Sequence, residues 1–298
     1  MIRPMLWRFE RWLGARFRLH PLFVLVLALS AITGRFLEVI TLFGIVLIHE
    51  IGHAAMAKQF GWRLQEVLLT PFGGVAVTDE DGSIPAREEA LVAAAGPAMN
   101  ALMIGFAYLM NAAGIWSHAW TVFFAQANLT IMLFNLAPVL PLDGGKLLRA
   151  LVSLALPFYR TLKVTTFWSL LASAALFGFA ATRLGSDGVY MNAALIGAFL
   201  TYSNWNEWQT LPYRFVRFLL GRAERVRQWT QRGVRADPLW VDPSLTLAAV
   251  VRLLRRERLH WIVVMTAAGR VLAVVPEDRC AAYYTGEEQH RAVSELFM

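Results

Sequence analysis

The chain has 298 residues, of which 57% are hydrophobic and only 16% charged, with a formal net charge of +7. Soluble globular domains carry about 25% charged residues, so this composition excludes an ordinary soluble protein. The basic charge does not require nucleic acid, because its arginines flank apolar runs as membrane-bordering residues do.

The charge deficit is uneven along the chain. Residues 21–206 are strongly apolar, whereas 207–298 hold 14 arginines and no lysine against 10 acids. This predicts a membrane domain followed by a small soluble one. The lone cysteine, Cys280, excludes an intramolecular disulfide and fits a reducing face.

Met1 to Leu19 reads as a basic amphipathic lead-in. Trp7, Phe9, Trp12 and Phe17 suit the headgroup level, beside Arg3, Arg8, Arg11, Arg16 and Arg18. His20-Pro21 opens a first span at Leu22 to Thr33, retained because no small-residue cleavage site closes it. Gly34-Arg35 is a tight turn. Phe36 to Ala57 is the second span. Glu66 to Thr78 carries short β-prone runs on either side of Pro71-Phe72-Gly73-Gly74 and predicts a hairpin. At membrane depth such backbone survives only against protein or a water-filled cavity.

Glu89 to Ala113 is a third span, with a bend expected at Gly96-Pro97. Trp116 to Ala137 is a fourth, opening on an interfacial Trp116, His118 and Trp120. Thr165 to Ala181 and Val189 to Trp205 are the fifth and sixth, with no buried ionisable group. Glu207 to Asp237 is a basic, aromatic-bearing linker suited to an anionic leaflet. Residues 238–298 form a compact α/β unit: a helix near Leu245 to Leu254, then strands at Trp261 to Met265 and Arg270 to Val275 joined at Gly269, then a helix. The domains expected are therefore 1–206, 207–237 and 238–298. Basic residues concentrate before span one, between spans two and three, after span four and after span six. That places both termini in the cytoplasm.

The chemistry sits in the second span. His49-Glu50-Ile51-Gly52-His53 lies in a run whose other ionisable group is Glu38, at its outer end. Ionisable groups inside a membrane span are costly and mark function. Spaced one helical turn apart, two imidazoles can grip one zinc ion, with Glu50 beside them as general base. A catalytic zinc wants three protein ligands and one open position. Asp143, between Pro141 and Gly144-Gly145, is the acid at a plausible depth on another span, and His49 lies about 20 Å down span two, toward the cytoplasmic side. Asn135 is a candidate for hydrogen bonding substrate backbone or an oxyanion. Gly73, Gly74 and Val75 are candidates for holding an extended substrate by strand pairing.

His49-Glu50-x-x-His53 in one span, followed by Asn135-x-x-Pro138-x-x-Pro141-Leu142-Asp143-Gly144-Gly145 on a later one, resembles the site-2 protease family of intramembrane zinc metalloproteases. His20-Pro21, Leu69 to Gly74, Ala95-Gly96-Pro97 and Pro138 to Lys146 extend the resemblance over nearly the whole chain. It is most similar to the sporulation type. The resemblance implies an α-helical polytopic membrane protein with six transmembrane helices, a short membrane-associated β-hairpin and a CBS-like C-terminal domain. It implies one zinc on His49, His53 and Asp143, with Glu50 as base. The implied reaction is cleavage of a membrane-associated pro-sigma factor near the cytoplasmic face, in an outer forespore membrane, restrained by inhibitory membrane proteins. It also implies ATP on the CBS-like domain. Pro276 and Arg279 stand where CBS modules carry a hydroxyl residue and an aspartate, which argues against ATP. A single CBS-like unit implies self-association into a homo-oligomer. The competing reading is a membrane zinc transporter. It predicts ligands strung along a pathway and has no use for Glu50 between the histidines.

Overall fold

The computed structural model describes residues 16–19, 30, 32–62, 64–70, 73–78, 84–183, 188–284 and 287–297. The expected first span and the basic lead-in lie outside these, except for Arg16–Leu19, Ser30, Ile32 and Thr33. The chain divides into two compact units.

The first unit comprises 1–80, 87–138 and 142–147. Its described elements are β1 (Arg16–Leu19), α1 (Phe36–Gln59), β2 (Leu64–Thr70), β3 (Gly73–Thr78), most of α2 (Ala86–Ala112), α3 (His118–Asn135) and the opening of α4 (Asp143–Ala155). Helix α1 begins after Gly34, whose φ of 73° lies in the left-handed region that glycine tolerates. Lys58 stands in its last turn, where a cation favours the dipole. Its 24 residues reach about 36 Å, longer than a hydrocarbon core of about 30 Å.

Helix α2 carries Glu88 and Glu89 in its first turn and continues through Pro97 as one helix to Ala112. The break that proline invites does not end it. Helix α3 is capped by Ser117, whose side chain accepts from the Trp120 amide.

The predicted hairpin forms. β2 and β3 pair antiparallel, with Thr70 opposite Gly73 and Leu68 opposite Val75. The glycines open β3 rather than sitting in the turn. A third strand, β1, adds in parallel to β2, with Arg16 opposite Glu66. Arg16–Leu19 is thus a strand, where the arginine pattern predicted part of an amphipathic lead-in. Strand order β1-β2-β3 leaves β3 at the edge, and both hairpin strands approach α1.

The second unit comprises 81–86, 139–141 and 148–298. It holds α5 (Phe158–Ala181), α6 (Gly188–Gln231), β4 (Asp237–Val241), α7 (Leu247–Val251), β5 (His260–Met265), β6 (Val271–Pro276), α8 (Glu277–Tyr284) and α9 (Val293–Phe297). α5 and α6 lie along each other. A Cβ on Gly197 would press on the Phe177 backbone, so the two chains meet closely there. α6 runs for 44 residues through Pro212, and most of the segment expected as a linker continues it as helix. The reason is a buried stripe. Leu211, Phe215, Phe218 and Leu219 recur at three- and four-residue spacing and join one core with Val241, Leu247, Val250, Ile262, Val264, Val275 and Val293. A unit of about 60 residues is marginal alone, and here α6 and Phe158 complete its core. The small sheet has order β4-β5-β6, with β4 parallel to β5 and β5 antiparallel to β6.

Among the described residues, α1, α2 and α5 are long and apolar enough to cross a membrane. The expected fourth and sixth spans form as helices, α3 and the first half of α6, but fall outside that set.

Candidate metal centre

His49, Glu50 and His53 are all buried on α1, at 3%, 9% and 8% exposure. The four-residue spacing stacks the two imidazoles on one face. Two glycines let α2 come close to that face. A Cβ on Gly52 would collide with Met99 and the Ala95 carbonyl, and one on Gly96 would collide with both imidazoles. Asp143 opens α4 and is 3% exposed. Gly144 beside it packs on the Leu136 and Ala137 carbonyls with no room for a side chain. The chain leaving α3 can therefore fold back and deliver Asp143.

The three side chains converge. Asp143 Oδ2 lies 3.2 Å from His49 Nε2 and 3.0 Å from His53 Nε2. The two Nε2 atoms are 3.1 Å apart. One potential ligand atom from each residue falls within 4.8 Å of the others.

Hydrogen bonds fix what those atoms present. Asn128 Nδ2 donates to the Phe124 carbonyl at 2.9 Å, a group that can only accept. Asn128 Oδ1 therefore accepts from Asn100 Nδ2 at 3.0 Å. Asn100 Oδ1 in turn faces His49 Nδ1 at 2.5 Å, so that nitrogen carries the hydrogen. His53 Nδ1 donates to the Val92 carbonyl at 2.7 Å. Each neutral ring thus turns an Nε2 lone pair inward. Asp143 Oδ2 is buried and makes no hydrogen bond. Three lone-pair-bearing atoms packed at about 3 Å with no hydrogen between them repel one another unless a cation sits among them. Two nitrogens and one oxygen are a donor set that zinc accepts.

The other predicted residues fall as follows. Glu50 is buried beside His49 on the same helix. Asn135 ends α3 and donates to its own helix, at the Ile131 carbonyl, 3.1 Å away. Gly73, Gly74 and Val75 lie on the edge strand β3. His118 is exposed, as an interfacial residue should be.

Sequence reasoning missed Asn100, Asn128 and Lys146. Lys146 Nζ reaches Asp143 Oδ1 at 3.1 Å. The two asparagines carried a usable signal, since amides inside apolar runs are costly without partners. They bear no charge, so the cost of an ionisable group in a span does not single them out.

Comparison with known proteins agrees with this geometry. The profile of peptidase family M50 matches residues 37–115 and 103–178. The chain is 30% identical to stage IV sporulation protein FB of Bacillus subtilis over 291 residues, 97% of this chain and 99% of that protein. It is 35% identical over 129 residues to a zinc metalloprotease of Methanocaldococcus jannaschii, covering 42% of this chain and 37% of that protein. Among solved structures, a site-2 protease from Methanocaldococcus jannaschii superposes with a TM-score of 0.51 at 24% identity, covering 65% of this chain and 91% of that one. The last likeness is one of fold.

Proposed function

We propose, on the premise that the chain belongs to peptidase family M50, the site-2 protease family of zinc metalloproteases, that this integral membrane protein cuts a membrane-associated pro-sigma factor near the cytoplasmic face. The observation that carries the site assignment is Asp143 Oδ2, buried without a hydrogen bond and facing two Nε2 atoms. His49, His53 and Asp143 hold one zinc ion. Bound there, the ion supplies Lewis-acid activation of water and of the scissile carbonyl.

The remaining work belongs to the chain's own side chains. Glu50, next to His49 in sequence, takes the proton of the attacking water and returns it to the leaving amine. The buried surroundings of α1 and α2 keep bulk water from the site. An extended, locally unwound substrate pairs along the edge of β3, at Gly73, Gly74 and Val75. Asn135 hydrogen-bonds substrate after leaving its helix carbonyl.

The likeness to stage IV sporulation protein FB along almost the full length of both chains supports the sporulation reading of the substrate. With it go an outer forespore membrane location and inhibitory membrane partners. We read 1–206 as a six-span protease domain, 207–237 as a largely helical linker whose apolar stripe packs into the unit that follows, and 238–298 as that unit, CBS-like and pairing with a second copy. Both termini are then cytoplasmic.

The test is co-expression with a tagged pro-sigma substrate in a host lacking related proteases. Cleavage by the native chain and none by Glu50→Gln is the expected result. Cleavage persisting in Glu50→Gln would refute the assignment of the base.

A further inference from the structure

The two oxygens of Asp143 live in different surroundings. Oδ2 faces the two imidazole nitrogens and makes no hydrogen bond. Oδ1 accepts from the Lys146 ammonium at 3.1 Å. The lysine is three residues on, in the first turn of α4, and the residues between are Gly144 and Gly145, so no intervening side chain stands in its way. The Lys146 side chain is 42% exposed and that of Asp143 5%. The ammonium therefore sits at the edge of the site and reaches the outer oxygen of a carboxylate that is otherwise enclosed.

A carboxylate with both oxygens free can swing about its Cβ–Cγ bond and offer either or both to a cation. Here one oxygen is engaged by a cationic donor and the other is bare. We propose that Lys146 is a positioning residue that commits Asp143 to ligate the metal through Oδ2 alone. This rests on the zinc reading above. Three protein donors leave a four-coordinate ion one position for its chemistry, and a carboxylate that turned both oxygens inward would fill it. Lys146 does not touch substrate or metal; it acts through Asp143. Groups that orient a metal ligand in this way are worth about 10–100-fold in metal affinity or activity.

The experiment uses the full chain in lipid nanodiscs, loaded with cobalt(II) in place of zinc, as native, Lys146→Met and Lys146→Arg forms. The methionine keeps the aliphatic bulk and removes the donor; the arginine restores a donor and a charge. The native chain is expected to give the intense visible bands of four-coordinate cobalt. In Lys146→Met the second oxygen enters, the bands weaken as five-coordination does, and substrate turnover of the zinc form falls about 10–100-fold. Lys146→Arg returns both toward native. An ordinary surface ion pair would leave the spectrum alone. Native bands persisting in Lys146→Met overturn the inference, whatever the turnover. Altered bands that arginine does not restore overturn it as well. A native chain that takes up no cobalt overturns the metal-centre reading itself, and the inference with it.

Discussion

Gly96→Ala is a one-carbon change aimed at the site without touching a ligand. The new Cβ would stand against His53 Nε2 and Cε1 and His49 Cε1, nearer than real carbon atoms approach. Either both imidazoles move or α2 backs away from α1. Backing away also opens the close contact that Gly52 makes with Met99 and the Ala95 carbonyl. Overpacking of this kind costs about 1–3 kcal/mol. The chemical cost is larger than the stability cost. The Nε2 atoms sit only 3.0 and 3.2 Å from Asp143 Oδ2, and a displacement of about 1 Å in a catalytic constellation is worth about 100-fold in rate. The assay measures zinc retention against a graded chelator, together with substrate cleavage. Gly105→Ala is the control, in the same helix with open space where its Cβ would go. Gly96→Ala is expected to lose zinc at lower chelator concentration and most of its activity, while Gly105→Ala keeps both. Native zinc retention and rate in Gly96→Ala would refute the helix spacing described here.

Asn100→Leu removes the acceptor that orients His49 and strands Asn128 Oδ1; zinc affinity is expected to fall about 10–100-fold, measured by chelator competition. Burial pushes the Cys280 thiol up to about 12, so its thiolate fraction at pH 8 is on the order of a thousandfold below that of a free thiol. Iodoacetamide should label it only after denaturant opens the α/β unit, as mass spectrometry would read. Arg222 and Glu277, at 2% and 1% exposure, pair at 2.8 Å. Glu277→Leu leaves the guanidinium unpaired in the core and is expected to destabilise that unit by about 3–5 kcal/mol, followed by thermal melting of intrinsic fluorescence.

His49, Glu50 and His53 were legible because their polarity contradicts the apolar run that holds them. Asp143 was legible by the same rule once a third ligand was needed. The hairpin was legible because β-prone runs flank a proline-glycine cluster, a purely local signal. β1 was not. Arg16–Leu19 alternates basic and apolar residues, as strands and interfacial segments both do, and only pairing with β2, fifty residues on, decides between them. The continuation of α6 beyond Trp205 was hidden for a related reason. The arginines and aromatics after Glu207 read as a membrane-surface linker, yet burial of Phe215, Phe218 and Leu219 carries the helix on through Pro212. Local pattern names an element; the partner that stabilises it lies elsewhere in the chain.

The choice of orienting groups follows from the membrane. Soluble zinc enzymes often steady a ligand histidine with a carboxylate. In a span, each further carboxylate adds an uncompensated charge where water cannot solvate it. Here the partner of His53 is the Val92 carbonyl. That of His49 is Asn100, relayed through Asn128 to the Phe124 carbonyl. Both histidine Nδ1 hydrogens are thus held, directly or by relay, by backbone carbonyls. Pro97 bears on the first of these anchors. It lies five residues after Val92, on the helix that supplies the carbonyl. Proline lacks an amide hydrogen, so the Ala93 carbonyl four residues before it has no helical donor there. The helix is therefore less tightly bonded beside the very carbonyl that holds His53. Orientation is achieved with neutral dipoles, which leaves Asp143 and Glu50, the proposed ligand and base, as the carboxylates of the centre among the described residues.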